Sequence, residues 1–290
     1  MQMQLKGKPV AEKIFADIKN DLTKWENKAY PKPSLTVILV GDDPASGVYV
    51  GHKTKACHEL GFKSELINLP QNISQDQLIQ KIKELNLNQA VDGILVQLPL
   101  PKSMNEREVL ESIAPAKDVD CLTQTNIGAM VVGESISKTF TVSPCTPSGI
   151  IEIFNYYKLP LQGKKIAVIG RSLIVGTPLV HLLTQQNATV TLFHSKSEDM
   201  MSEIKQFDIV CVAIGKAEYF KPQDFKKGAI VIDVGIHRKP NNALVGDVAA
   251  GDANWLSAQT PVPGGVGPTT IAMLMKNTYL VALRNRQNKK

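Results

Sequence analysis

Hydrophobic residues follow two rhythms along the chain. Short, nearly unbroken apolar runs, such as Ile38-Leu39-Val40 and Ile94-Leu95-Val96, alternate with stretches where apolar residues recur every three or four positions. The first rhythm suits strands buried on both faces of a parallel sheet, and the second suits amphipathic helices. The pattern predicts helices over residues 10–25, 45–60 and 75–85, and strands over 35–41, 63–69 and 92–98. A second series follows, with strands over 165–170, 189–194, 208–214 and 229–234 and helices over 175–185 and 197–206. Between the two, residues 114–148 are rich in Asp, Thr, Ser, Pro and Gly and read as a long functional loop plus a domain connection. Thr146-Pro147-Ser148-Gly149 then opens a helix through Tyr157. A last helix, over 269–283, carries Ile271, Leu274, Met275, Tyr279 and Ala282 on one face. Strands alternating with helices define an α/β chain built from parallel units.

Composition narrows this little. With 290 residues, 43% hydrophobic and 21% charged, the chain is an ordinary globular one, enough for one large domain or two smaller ones. Its apolar runs fall short of the roughly 18 residues a membrane helix needs. Residues 1–10 lack the apolar core of a signal peptide. A cytoplasmic protein without membrane contact is expected. The net charge of +6 is spread along the sequence; small anionic substrates suit it as well as nucleic acid does, so charge alone decides nothing, and the chain is read as having no nucleic-acid partner. The one dense basic cluster, residues 284–290, reads as a frayed helix end. Cys57, Cys121, Cys145 and Cys211 form no Cys-x-x-Cys pair. They read as small buried hydrophobes rather than disulfide partners or metal ligands, and no metal site is expected.

Several residues carry candidate chemistry. The strand ending at Gly170 runs into Gly170-Arg171-Ser172-Leu173-Ile174-Val175-Gly176-Thr177-Pro178. A tight turn there lets the next helix aim its N-terminal amides at a phosphate. Glycines after strands are common, so the loop alone fits an ordinary turn as well. The next strand ends in His194-Ser195-Lys196, without the acid that would hold a ribose 2′-hydroxyl. With Arg171 close to the first glycine, that favours NADP over NAD.

In the first series, Tyr49 and Lys53 are four apart and share a helical face with Ala56 and Leu60. A desolvated Lys there is usable for proton transfer. On spacing alone, a lysine whose stem packs while its amine reaches water is the better reading. Gln97 ends a buried strand, where ligands of parallel sheets bind, or serves as a strand-end cap. Asp118 and Asp120 are turn formers, or two of the ligands a metal would need.

Taken together, these residues resemble the bifunctional methylenetetrahydrofolate dehydrogenase/methenyltetrahydrofolate cyclohydrolase family over nearly the whole chain. The carriers in the first half are Tyr49-Val50-x-x-Lys53-x-Lys55-Ala56-Cys57, residues 92–101 (DGILVQLPLP), Lys117-Asp118-Val119-Asp120 and Pro144-Cys145-Thr146-Pro147. Those in the second are Gly170-Arg171-Ser172-x-Ile174-Val175-Gly176, Ile232-Asp233-Val234-Gly235, Gly246-Asp247-Val248 and residues 261–268 (PVPGGVGP).

The resemblance implies a fold of two α/β units with a cleft between them: a catalytic and folate-binding domain over 1–140 plus 268–290, and a Rossmann-like NADP-binding domain over 141–267. The last helix packs back on the first domain. It also implies two activities. The enzyme oxidises 5,10-methylenetetrahydrofolate with NADP and hydrolyses the methenyl product to 10-formyltetrahydrofolate. Lys53 is then the essential cyclohydrolase residue, Tyr49 packs on the folate, Gln97 tunes Lys53, and Asp120 binds the pterin. Gly170, Arg171, Ser172, Gly176, Ser195 and Ile236 contact NADP, and Pro263, Gly264 and Gly265 lie close to the folate. Tetrahydrofolate derivatives are the implied partners, and a homodimer the implied assembly. The chain departs from the family at Cys121-Leu122-Thr123-Gln124, His237 and Thr269, where Gly-Phe-His-Pro, Asn and Met are usual. The first departure puts the shape of the folate pocket in question.

Overall fold

A computed structural model describes residues 2–26, 28–132, 142–252 and 254–287. Along the first half run β1 (Met3–Gln4), α1 (Gly7–Glu26), β2 (Ser34–Val40), α2 (Pro44–Glu59), β3 (Lys63–Leu69), α3 (Gln75–Leu87), β4 (Gly93–Val96), α4 (Glu106–Glu111) and α5 (Gln124–Val132). Then come α6 (Cys145–Tyr156), β5 (Lys165–Ile169), α7 (Gly176–Gln185), β6 (Thr189–Phe193), α8 (Met200–Glu203), β7 (Ile209–Val212) and β8 (Ile230–Asp233). The short pieces β9 (His237–Arg238), β10 (Leu244–Val245) and β11 (Ala258–Gln259) precede α9 (Val266–Gln287).

The chain divides into two compact units. One comprises Lys13–Cys145 and Ile271–Lys290. Its sheet has the order β3-β2-β4, all parallel. The middle strand β2 is buried nearly throughout, which explains why its sequence is a continuous apolar run rather than an alternating one. Ile38, Leu78, Ile82, Ile94 and Val109 lie in the core beneath it. Residue 118 makes a parallel bridge to Ile94, so the segment leading to Asp120 runs beside β4. The C-terminal helix packs here, as expected: the Cys57 thiol meets the Met275 sulfur at 3.6 Å, and the Trp25 and Tyr279 ring centroids lie 5.4 Å apart.

The other unit comprises Met1–Glu12 and Thr146–Thr270. Its six-stranded sheet has the order β1-β11-β8-β7-β5-β6, again parallel. Residues 1–12 cluster in this unit. Leu5 N donates to Gln259 O at 2.8 Å, which ties β1 to the sheet edge. A two-residue strand is too short to show a period, so the sequence gives no sign of it.

Three expectations need correction. Residues 114–148 are not a structureless loop: they hold α5 and the start of α6, while residues 133–141 lie outside the described part. The helix α5 is preceded by Thr123, whose hydroxyl accepts from Asn126 N at 3.4 Å, an N-cap that the Thr/Asn/Gly content disguised as loop. The helix expected over 197–206 is reduced to α8 and one 3₁₀ turn. The basic tail is not frayed through residue 287. Arg286 pairs with the buried Asp92 through both carboxylate oxygens and lies over the Trp25 ring at 5.4 Å. Arg284 donates to Ala116 O at 2.6 Å.

Candidate active site

The carboxyl end of the β3-β2-β4 sheet gathers the first set of predicted residues. Asp43 caps α2 by accepting from Ser46 N at 2.8 Å, and this sets the helix so that Tyr49 and Lys53 share one face with the buried Ala56 and Leu60. Gln97 follows β4 and is anchored by its own amide, which donates to Ile38 O at 2.8 Å. Its side-chain Nε2 donates to Leu98 O at 2.7 Å. That turns Oε1 toward α2, where it accepts from Lys53 Nζ at 2.8 Å. The amide is therefore an acceptor oriented for the amine, not a strand-end cap.

Burial pushes the Lys53 ammonium below the usual lysine pKa, and the charge of Asp120 opposes this. The lysine is thus neither a fully solvated snorkelling side chain nor locked into an ion pair. Asp120 hydrogen-bonds the Cys145 thiol, whose pKa burial drives far up, so the thiol stays protonated. Tyr49 is half-buried, and desolvation raises its phenol pKa, keeping it neutral.

Asp118 and Asp120 have separate tasks. The carboxylate of Asp118 is buried and accepts from Leu122 N at 3.2 Å, Thr123 N at 2.9 Å and Asn126 Nδ2 at 3.0 Å. It shapes the turn, and Asp120 faces the lysine. Thr123, the departure beside this turn, therefore sits in the scaffold of Asp120.

Sequence reasoning quoted Cys145 within a motif but gave it no role, and it missed Asn277. The Asn277 Nδ2 donates to Val119 O at 2.9 Å, Ser143 O at 2.8 Å and the Cys145 sulfur at 3.5 Å. Nearly the whole circumference of α9 is buried, wider than the expected stripe, so a polar residue off that stripe is enclosed as well. The clue was an Asn-Thr pair within the mainly apolar middle of the helix, residues 271–283.

The second set lies in the other unit. Gly170 has φ +116°, and a Cβ there would stand 2.1 Å from Ala213 O. A Cβ on Gly176 would stand 1.8 Å from Gly170 O. Both positions therefore require glycine, and the loop is a tight turn. The helix α7 begins at Gly176 with no side-chain cap at Val175. Thr177 N donates to Ser172 O at 3.0 Å, Leu179 N donates to Val175 O at 3.0 Å, and Pro178 has no N–H, so the Gly176 amide is the one that could meet an anion. Arg171 and Ser172 are exposed on the loop, and the Ser172 hydroxyl accepts from Val175 N at 3.1 Å. Ser195 is exposed just past β6, with no acid at the strand end. Its turn is set by His194, whose Nδ1 accepts from Lys196 N at 3.2 Å. Ile236 is 43% exposed beyond β8. These residues fit an NADP phosphate and ribose. Pro263, Gly264 and Gly265 also belong to this unit, where Gly264 O accepts from Gly7 N at 2.8 Å. The four cysteines are free and buried.

A parallel sheet with a glycine loop opening an uncapped helix, together with a unit that holds a desolvated lysine, defines a nucleotide-dependent enzyme of two α/β units. The chain belongs to the tetrahydrofolate dehydrogenase/cyclohydrolase family. The profile of that family's catalytic domain matches residues 5–120, and that of its NAD(P)-binding domain matches residues 144–286. A bifunctional protein FolD of Bdellovibrio bacteriovorus is 47% identical over 284 residues, with 97% of each chain covered. The crystal structure of the FolD methylenetetrahydrofolate dehydrogenase/cyclohydrolase of Campylobacter jejuni is 40% identical, with TM-score 0.91 and 100% of both chains covered. That of Trypanosoma brucei, complexed with NADP cofactor and inhibitor, is 34% identical, with TM-score 0.91 and 99% of each chain covered.

Proposed function

We infer that the chain oxidises 5,10-methylenetetrahydrofolate to 5,10-methenyltetrahydrofolate with NADP and hydrolyses the product to 10-formyltetrahydrofolate. Two domain profiles and full-length similarity to bifunctional relatives support both activities. The observation that carries the second is the 2.8 Å contact between Lys53 Nζ and Gln97 Oε1 on a lysine whose pKa burial lowers.

NADP, when bound, supplies the hydride acceptor. Gly170 and Gly176 would let its pyrophosphate approach the backbone, and the Gly176 amide would donate to it. Arg171 and Ser195 hold the 2′-phosphate, Ser172 takes part in the phosphate loop, and Ile236 flanks the nicotinamide. Tyr49 packs on the folate, with Pro263, Gly264 and Gly265 close to it, and Asp120 holds the pterin end. Loss of hydride leaves a cation delocalised over the methenyl carbon and its two nitrogens. Water adds to that carbon as the neutral Lys53 amine takes one of its protons. The resulting ammonium delivers this proton to N5 as the carbon–N5 bond breaks. The hydroxyl proton leaves to solvent, and the carbonyl of 10-formyltetrahydrofolate forms. Gln97 holds the amine in line throughout without adding negative charge.

Among the described residues no helix is long and apolar enough to cross a membrane. Four free thiols support a reducing, cytoplasmic setting. The spread of charge along the chain speaks against a nucleic-acid partner. A homodimer is supported by the outward edge of β3, where Leu66 is 42% exposed. The test is an absorbance assay with methylenetetrahydrofolate and NADP, following the rise and decay of the methenyl species. No NADP-dependent rise would overturn the oxidation, and a rise without enzyme-dependent decay would overturn the hydrolysis.

A further inference from the structure

The order β6-β5-β7-β8 places the topological switch point between β5 and β7. In such sheets a dinucleotide lies across the crevice outside the carboxyl ends of these two strands. One wall is the Gly170–Gly176 loop. The other is the segment after β7, residues 213–216, and the two walls touch where Gly170 approaches Ala213 O. Ser195, beyond β6, marks the adenosine side, so the nicotinamide half extends over the β7 side.

The β7 wall does not hold itself in place. The Asp247 carboxylate, fully buried, accepts from Ile214 N at 2.8 Å and Gly215 N at 3.1 Å through Oδ2, and from Lys216 N at 2.9 Å through Oδ1. Asp247 is in turn fixed by Asp233 at the end of β8. The Asp233 carboxylate accepts from Asp247 N and Gly235 N at 3.0 Å each, and from Val248 N at 2.9 Å. A side chain at Gly235 would run into Asp247, its Cβ 2.3 Å from Oδ1, so the two carboxylates and the backbone interlock. Two buried acids side by side repel, and desolvation with this repulsion pushes Asp233 up to about 6. The side chain that meets Asp247 is His237 on β9, with Nε2 2.8 Å from Oδ1. The other charged groups around it are the Lys239–Glu218 pair at 2.5 Å and Lys216, whose amine lies over the Tyr219 ring at 5.3 Å.

We propose that His237 is a positioning residue for the nicotinamide half of the dinucleotide, acting through Asp247 on the Ile214–Lys216 wall of the crevice. Its Nε2–H satisfies the remaining acceptor capacity of a buried carboxylate and fixes the rotamer from which Asp247 grips three backbone amides. The proposal rests on reading the Gly170–Gly176 loop as the dinucleotide site.

Two variants test it. His237→Phe keeps the ring volume and removes the donor, and His237→Gln restores an N–H donor without the ring. The readouts are NADP kinetics in the dehydrogenase assay, the dissociation constant of 2′,5′-ADP, which occupies the adenosine side alone, and hydrolysis of purified methenyltetrahydrofolate by the same samples. The expected result for His237→Phe is a KM for NADP raised about tenfold or more, with 2′,5′-ADP binding and methenyl hydrolysis at wild-type level. His237→Gln recovers most of the NADP KM. Unchanged NADP kinetics in His237→Phe would overturn the proposal. So would an equal loss of 2′,5′-ADP binding, which would make the residue a general stabiliser of the unit, or a Gln variant as impaired as the Phe one. Failure of wild-type protein to bind 2′,5′-ADP, or indifference of that binding to Arg171→Ala, would instead remove the underlying reading of the glycine loop.

Discussion

Lys53 and Gln97, forty-four positions apart, meet at 2.8 Å because the β4 chain and the α2 face converge at one end of a parallel sheet. The amide offers its oxygen, not its nitrogen, because Nε2 is already committed to Leu98 O. A neutral acceptor orients the amine without stabilising its charged form as a carboxylate would.

Lys53→Met keeps the stem and removes the amine. Cyclohydrolase activity is expected to fall roughly 100-fold or more, the span of positioned acid–base catalysis. NADP binding should persist, and methenyltetrahydrofolate should accumulate. Purified methenyltetrahydrofolate fed to the folded variant checks this, and near-normal hydrolysis would return Lys53 to a packing role.

Gln97→Glu places a negative charge on the amine. That favours the ammonium, so the Lys53 pKa rises and the neutral amine is populated only at higher pH. The rising limb of the cyclohydrolase pH–rate profile should therefore move to the alkaline side, with the loss greatest near neutrality and partly recovered at higher pH. A profile of unchanged shape would argue that the free amine is not the working form.

Arg171→Ala removes a charge-assisted contact expected at the 2′-phosphate. Such a bond is worth about 1.5–3 kcal/mol, so NADP affinity should drop by roughly tenfold or more while NAD affinity stays close to its starting value. Parallel titrations with the two dinucleotides decide it. Equal use of NAD by the unmodified enzyme would contradict the assignment.

Arg286→Met leaves the buried Asp92 carboxylate without its cation. Breaking such a pair costs about 3–5 kcal/mol. Ser34 N, which also donates to Asp92 at 3.0 Å, offsets part of that. Urea unfolding should show the loss as a lower midpoint, and the double variant Asp92→Asn/Arg286→Met should be less destabilised than Arg286→Met alone. A double variant as weak as the single would point to lost packing on Trp25 rather than to the stranded charge.

The alternation of apolar runs and helical periods determined the α/β class and the main strands, because burial on both faces of a parallel strand leaves a local record in β2, β4, β5 and β7. The glycine loop, the missing acid after β6 and the Tyr49–Lys53 face were legible for the same reason: each is a short-range relationship. Even there the sequence left open whether Lys53 simply reached water and whether the glycines formed an ordinary turn. Tertiary structure decided the first through desolvation beside Gln97, and at the second it showed why Gly170 must be glycine, through a close approach to Ala213 that no local pattern encodes. It alone brought Asn277 to Cys145, Arg286 to Asp92, and residues 3–4 to the edge of a sheet more than two hundred and fifty positions away. Polar residues in helices read as solvent-facing until the opposing surface is known, and two-residue strands carry no period to detect. The pairing of His237 with Asp247 is of the same kind: ten residues of separation show nothing until β9 and β10 fold back and set the imidazole on the acid that holds the wall beside the glycine loop.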